Sequence, residues 1–162
     1  MAAGRRLRNY LSVLTLECQT IARACGHNHV HNLEPEDLCA LTAVAKEYNL
    51  PVHLDGARFA NACAALGCTP AEMSWKAGVD VAVFGGTKNG LMGVEAVVMF
   101  DPDKAWEFEL RRKRGGHLFS KHRYLAAQMD AYLDDNLWMT LAQQSNANAA
   151  HLVDGLTGAA TT

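Results

Sequence analysis

The sequence holds one lysine whose surroundings call for a chemical explanation. Lys88 follows the apolar run Val81-Ala82-Val83-Phe84 inside the loop Gly85-Gly86-Thr87-Lys88-Asn89-Gly90. Glycines let the backbone turn sharply and let another group come close. A lysine at such a position, its pKa lowered by partial burial, can bond a carbonyl carbon as a Schiff base. A surface hairpin with a solvated lysine would look the same in isolation. A phosphate-binding P-loop would not, because the glycine spacing before the lysine is wrong.

A second group raises the stakes. His53-Leu54-Asp55-Gly56-Ala57-Arg58 puts a carboxylate at the end of a short apolar run and an arginine three residues later. Asp55 could simply cap the helix that follows. It could equally face the ring nitrogen of a pyridoxal cofactor, which needs a carboxylate to keep that nitrogen protonated and electron-withdrawing. Such a cofactor also needs cationic or hydrogen-bonding groups for its ring oxygen and phosphate. His53 lies two residues before Asp55, hence on the same face of a strand. It is a tempting base, but a packed histidine supporting the site is the better reading.

Elements that could hold these groups are legible on either side. Residues 35–49 read as a helix. Pro35 suits its first turn, Glu36 and Asp37 its positive end, and Leu38, Leu41, Ala45 and Tyr48 recur on one face. Asn49 can close it in the left-handed conformation. Residues 51–55 make a short strand ending in Asp55, and Arg58 to Leu66 is helical. Thr69-Pro70-Ala71-Glu72 has the form of a helix start with a capping box. Residues 80–84 and 94–100 are apolar strands, the first buried. From Pro102 onward the chain is mostly helical, interrupted at Gly115-Gly116. Helices alternating with strands indicate an α/β layered fold, in which ligands gather at the carboxyl ends of strands. Asp55 and Lys88 both sit at such ends.

Bulk properties exclude several classes. The chain has 162 residues, 49% of them hydrophobic and 20% charged, with net charge −2. That supports a globular core and argues against disorder. No apolar run approaches the roughly 20 residues of a membrane span. The cluster Arg111-Arg112-Lys113-Arg114 adjoins Asp101, Asp103, Glu107 and Glu109 in a net acidic chain, so no nucleic-acid surface is expected. Five cysteines, with no C-x-x-C pair, fit a reducing, cytoplasmic setting better than a disulfide framework. His27, His29 and His31 alternate as strand ligands would, but no fourth ligand is near, and no metal is expected. The basic, acid-poor start around Arg5, Arg6 and Arg8 has some features of a targeting segment but no small-residue cleavage site, and reads as an ordinary N-terminal segment.

Three blocks in order, HLDGARFANACAALG (53–67), AGVDVAVFGGTKNGLMGVEAVVMF (77–100) and RRKRGGHLFSKHRYLAAQMDAYL (111–133), resemble the low-specificity L-threonine aldolases of the β-eliminating lyase group. The resemblance runs from about Leu33 to Leu156. It implies part of the large domain of the aspartate-aminotransferase-like, pyridoxal-phosphate fold type I three-layer sandwich, with 1–32 as an unmatched segment, 33–156 as the partial lyase domain and 157–162 as a tail. It implies pyridoxal 5'-phosphate as cofactor, bonded by Lys88, with Asp55 on the pyridine nitrogen, Arg58 near the ring oxygen and substrate, and Thr87 giving a hydroxyl at the cofactor edge. The family supplies positive charge toward the phosphate from the region of 111–114, Lys121 and Arg123.

The implied reaction cleaves a β-hydroxy-α-amino acid, such as L-threonine or L-allo-threonine, to glycine and an aldehyde, in homodimers or homotetramers. A complete enzyme of this kind is roughly twice as long. The expectation is therefore a central piece with strands left as edges, and an inactive fragment, or another fold type I lyase or transaminase, is the alternative.

Overall fold

The first described helix, α1 (Pro35–Glu47), obeys its end signals, but only Leu38 and Ala45 of its expected apolar face are partly buried. The computed structural model describes residues 35–159, so His27, His29, His31, Cys18, Cys25 and the basic N-terminal residues lie outside the described part. Glu36 and Asp37 occupy the first turn and Lys46 the last, as the helix dipole favours. Asn49 closes the helix with φ 53°. Leu41 and Tyr48, however, are exposed at 42% and 71%. The residue that docks α1 is Thr42, which is buried. Its hydroxyl donates to the carbonyl of Ala77 and lies within 2.9 Å of the Cys39 carbonyl. A Cβ on Gly78 would fall on the Thr42 side chain, which is why the chain can pass so close there.

Three strands form one mixed sheet in the order β1-β2-β3. β1 (His53–Leu54) is parallel to β2 (Val81–Gly85), with His53 opposite Val81 and Leu54 opposite Ala82. β1 is shorter than the 51–55 expected, although Val52 extends the pairing by accepting from the amides of Asp80 and Val81. β3 (Glu95–Met99) runs antiparallel to β2. Val97 and Val98 are each 39% exposed. Among the described residues β3 is an edge strand of the sheet.

Helix α2 (Phe59–Leu66) follows β1 and ends at Gly67, whose left-handed φ of 65° lets its amide reach the Cys63 carbonyl. The capping box at 69–72 forms: the Thr69 amide and hydroxyl both donate to Glu72, and the Glu72 amide donates back to the Thr69 hydroxyl. These hydrogen bonds hold the Glu72 carboxyl below the usual carboxylate range. The expected helix does not follow. The chain makes turns and a short 3-10 helix, Trp75–Ala77, because Gly78 ends it almost at once with φ 93°.

α3 (Ala105–Arg114) stops at Gly115, α4 (Arg123–Leu133) follows, and α5 (Leu137–Ala159) runs past residue 156. Two residues with positive φ, Asp135 and Asn136, form the corner between α4 and α5. α5 lies along α2, fastened by a reciprocal pair in which the Asn61 amide donates to Asn146 Oδ1 and the Asn146 amide to the Asn61 carbonyl.

The core is the meeting point of α2, α4, α5 and β2: Phe59, Ala60, Cys63, Tyr132, Trp138 and Ala142. Phe84, projecting from β2, touches three of its rings at centroid distances of 5.6–5.8 Å. Cys63 belongs to this core, and burial together with neighbouring Cys68 pushes its thiol up to about 12. At neutral pH that leaves on the order of a thousandfold less thiolate than an ordinary cysteine has. Timed alkylation with peptide mapping is therefore expected to label exposed Cys39 early and Cys63 only on unfolding. Equal rates for the two would contradict the packing.

Candidate active site

Asp55 and Lys88 come to one edge of the sheet through a backbone clamp that involves neither side chain. The Gly85 amide donates to the Gly56 carbonyl at 3.0 Å, tying the exit of β1 to the end of β2. The approach is so close that a Cβ on Gly56 would lie 1.9 Å from the Val83 carbonyl oxygen. A Cβ on Gly85 would lie 2.7 Å from the carbonyl oxygens of Gly56 and Ala57. These glycines leave room for backbone, where the sequence suggested room for a ligand. Gly86 is likewise filled in by Leu91 and the Val94 carbonyl.

The carboxylate of Asp55 is exposed, and Oδ1 accepts from the Ala57 amide at 3.1 Å. This is a local turn bond of the kind aspartate makes two residues ahead. It is not a helix cap: Arg58 stands at the cap position, with no side-chain bond to the helix end. Oδ2 has no hydrogen-bond partner among the described residues. Arg58 is also exposed, and its guanidinium is unpaired among the described residues. His53 is exposed too, which corrects the expectation of a packed histidine.

Lys88 is the middle residue of a single 3-10 turn, Thr87–Asn89, closed by Gly90 with φ 115°. Its side chain is exposed and has no partner among the described residues. Its neighbours on both sides are pinned. The Thr87 amide donates to Glu95 Oε1, and the Thr87 hydroxyl to the Val94 carbonyl, both at 3.3 Å. The Asn89 side-chain amide is buried; it donates to the Tyr132 hydroxyl and, at 2.8 Å, to the Trp138 carbonyl. The Tyr132 hydroxyl itself lies 3.5 Å from the Gly85 carbonyl. Burial raises the Tyr132 phenol above its ordinary value, so it stays protonated.

Sequence reasoning did not single out Asn89 or Tyr132. The signal available was an asparagine next to a candidate lysine in a loop otherwise built of glycines.

The donor set suits a pyridoxal cofactor: a free amine, a free carboxylate oxygen and a free guanidinium at neighbouring strand ends. Two arginines of the basic stretch are paired with acids of their own helix. Arg111 pairs with Glu107 and holds its carboxyl below the usual range, and Arg112 pairs with Glu109 at 2.6 Å. The exposed Arg111–Glu107 pair adds little stability, whereas Arg112 is half-buried. Arg111 and Arg112 line an open groove of about 1060 Å³ between β3 and helices α3 and α4, with Glu95, Phe108, His117 and His122. Lys88, Asp55 and Arg58 do not line it. Among the described residues no cluster of His, Cys, Asp and Glu could hold a metal, and no helix is long and apolar enough to cross a membrane.

Comparison with known proteins is specific. The chain is 51% identical over 120 residues to a low specificity L-threonine aldolase of Pseudomonas aeruginosa, covering 74% of this chain and 35% of that protein. It is 48% identical over 137 residues to the low specificity L-threonine aldolase of Pseudomonas sp. (strain NCIMB 10558), covering 85% and 39%. A stretch of 45 residues is 80% identical to a glutamate synthase large subunit-like protein of Rhizobium meliloti, covering 28% of this chain and 10% of that protein. The chain thus spans 35–39% of the length of the two aldolases it matches. The family model for beta-eliminating lyases matches residues 9–162. With that match across nearly the whole sequence, and with a mixed α/β sheet carrying a lysine and an aspartate at adjacent strand ends, this chain belongs to the beta-eliminating lyase family.

Proposed function

We propose that this chain carries the cofactor-bonding strand ends of a pyridoxal-phosphate-dependent lyase that cleaves β-hydroxy-α-amino acids, L-threonine and L-allo-threonine among them, to glycine and an aldehyde. One observation carries the reading. Lys88 and Asp55 stand on strand ends clamped by the Gly85–Gly56 hydrogen bond, each with its reactive atom uncommitted among the described residues. The likeness to two threonine aldolases supports the substrate class.

When bound, pyridoxal phosphate supplies the electron sink for the pair left at Cα as the Cα–Cβ bond breaks. Lys88 Nζ would be the amine that holds it. Asp55 Oδ2 would keep a proton at the ring nitrogen, while its Oδ1 is steadied by the Ala57 amide. Arg58 offers a guanidinium toward the ring oxygen and the substrate. The Thr87 hydroxyl, which here donates to the Val94 carbonyl, would turn its proton to serve an acceptor at the cofactor edge. The complete enzyme would work as a homo-oligomer in a reducing cytoplasmic setting. A second reading, cofactor binding without turnover by this chain, is favoured by the exposure of Lys88, Asp55 and Arg58, since nothing among the described residues excludes water from them.

The test is borohydride reduction of the purified chain with pyridoxal phosphate, followed by peptide mass mapping. The expected result is an adduct on Lys88 in excess of other lysines, reduced roughly tenfold by Asp55→Ala, as loss of a charge-assisted hydrogen bond implies. Labelling scattered over surface lysines would refute the reading. Threonine cleavage by the labelled protein would then separate turnover from binding alone.

A further inference from the structure

We infer that the buried Asn89–Tyr132 pair is a positioning device for Lys88: a lock that fixes the turn carrying the lysine to the core, so that only the lysine is free to meet a ligand. The inference rests on the reading of Lys88 as the cofactor-bonding residue. It adds two residues that touch neither cofactor nor substrate and act through the lysine's backbone.

The geometry runs from the core outward. Tyr132 is fully buried on α4, among the rings of Phe84 and the helices that pack on β2. Such a phenol needs a hydrogen-bonding partner, because a buried hydroxyl left alone is costly. It finds Asn89 and lies at the edge of bonding distance from the Gly85 carbonyl. Asn89 uses its second amide proton on the Trp138 carbonyl at the start of α5. One side chain of the lysine turn is therefore tied to both α4 and α5, the two helices that meet at the strained corner Asp135-Asn136.

A 3-10 turn advances about 120° per residue, so three successive side chains leave it in three directions. With Asn89 drawn into the core and Thr87 bound to β3, the remaining direction belongs to Lys88. That direction is set before any ligand arrives, which is what bonding between a flexible amine and a bound carbonyl demands. A glycine-rich loop without such an anchor would let the lysine wander.

The test compares the wild-type chain with Tyr132→Phe, Asn89→Ala and a core control, Phe59→Leu, each verified as folded by circular dichroism. Tyr132→Phe keeps the ring and its packing and removes the hydroxyl alone, so it remains informative if Asn89→Ala unfolds. Two readouts are taken: amide hydrogen exchange of residues 85–91, and the fraction of borohydride-fixed pyridoxal phosphate found on Lys88. We expect both lock variants to speed exchange of the loop and to lower the Lys88 fraction about tenfold, while the control leaves both near wild type. Faster loop exchange with no Lys88-selective adduct in any protein would support the lock and refute the pyridoxal reading. Unchanged loop exchange and unchanged Lys88 selectivity in Tyr132→Phe would overturn the lock and leave that reading standing. Equal losses in the control would also overturn it, since they would show a general effect of core damage.

Discussion

Gly56→Ala is expected to destabilise the chain by about 3–5 kcal/mol, enough to remove much of the stability a domain of this size has. The added methyl would sit 1.9 Å from the Val83 carbonyl oxygen and 3.1 Å from both the Val83 carbonyl carbon and the Phe59 Cβ. Two of these atoms are backbone, so no rotamer change relieves the clash. The exit of β1 must move away from β2. That breaks the Gly85–Gly56 hydrogen bond at 3.0 Å and disturbs the Phe59–Gly56 hydrogen bond at 2.9 Å that begins α2. Each bond contributes about 1 kcal/mol, with overpacking adding about 1–3 kcal/mol.

The expected readout is a melting temperature lower by roughly 10–15 °C, or no cooperative melt at all. A proper comparison is Gly67→Ala. Gly67 has a left-handed φ of 65° but nothing within 4 Å of an added Cβ, so only the conformational cost of about 1–2 kcal/mol applies. Equal effects of the two substitutions would contradict the close approach of β1 to β2. Because the same clamp ties the strand end that carries Asp55 to the one that leads to Lys88, any folded Gly56→Ala protein should also lose selective labelling of Lys88.

Lys88→Ala is expected to behave in the opposite way, leaving the fold alone and erasing the chemistry. Lys88 is exposed and has no partner among the described residues, so its truncation should change stability by no more than about 0.5 kcal/mol. The borohydride-fixed adduct in the peptide spanning the loop should vanish, because alanine has no amine to bond a carbonyl. Background labelling of exposed lysines such as Lys104 should continue unchanged. Mass mapping beside a thermal melt reads both effects in one preparation. An adduct total unchanged by Lys88→Ala would show that no lysine of this chain is privileged. A large loss of stability would show that Lys88 packs where the structure leaves it free.

The two substitutions divide the site into its parts. Gly56 and Gly85 set where the strand ends lie, and Lys88, Asp55 and Arg58 are the groups proposed to carry the chemistry there. The sequence displayed the second set openly, because lysine, aspartate and arginine carry their chemistry in their own functional groups. It displayed the ends of elements almost as well. Asn49 and Gly67 stop their helices in left-handed conformations through contacts a few residues apart, whereas the Thr69–Glu72 capping box forms without the helix it announces. Where local signals misled, a distant contact had overridden them. α1 is held by Thr42 because the Ala77 carbonyl needs a donor, while Leu41 and Tyr48 on its apolar stripe stay in solvent.

What the sequence determined alone is therefore the family, through a resemblance carried by three blocks of residues, along with most of its helices and strands and the candidate reactive groups. The tertiary structure decided the rest. It showed that the glycines around Asp55 and Lys88 admit backbone carbonyls, that His53 faces solvent, and that the residue beside Lys88 is anchored by a tyrosine 43 positions later. Such partners are chosen by chain crossing and close packing. A pattern read along one strand cannot say which distant carbonyl or hydroxyl will arrive within 3 Å of it.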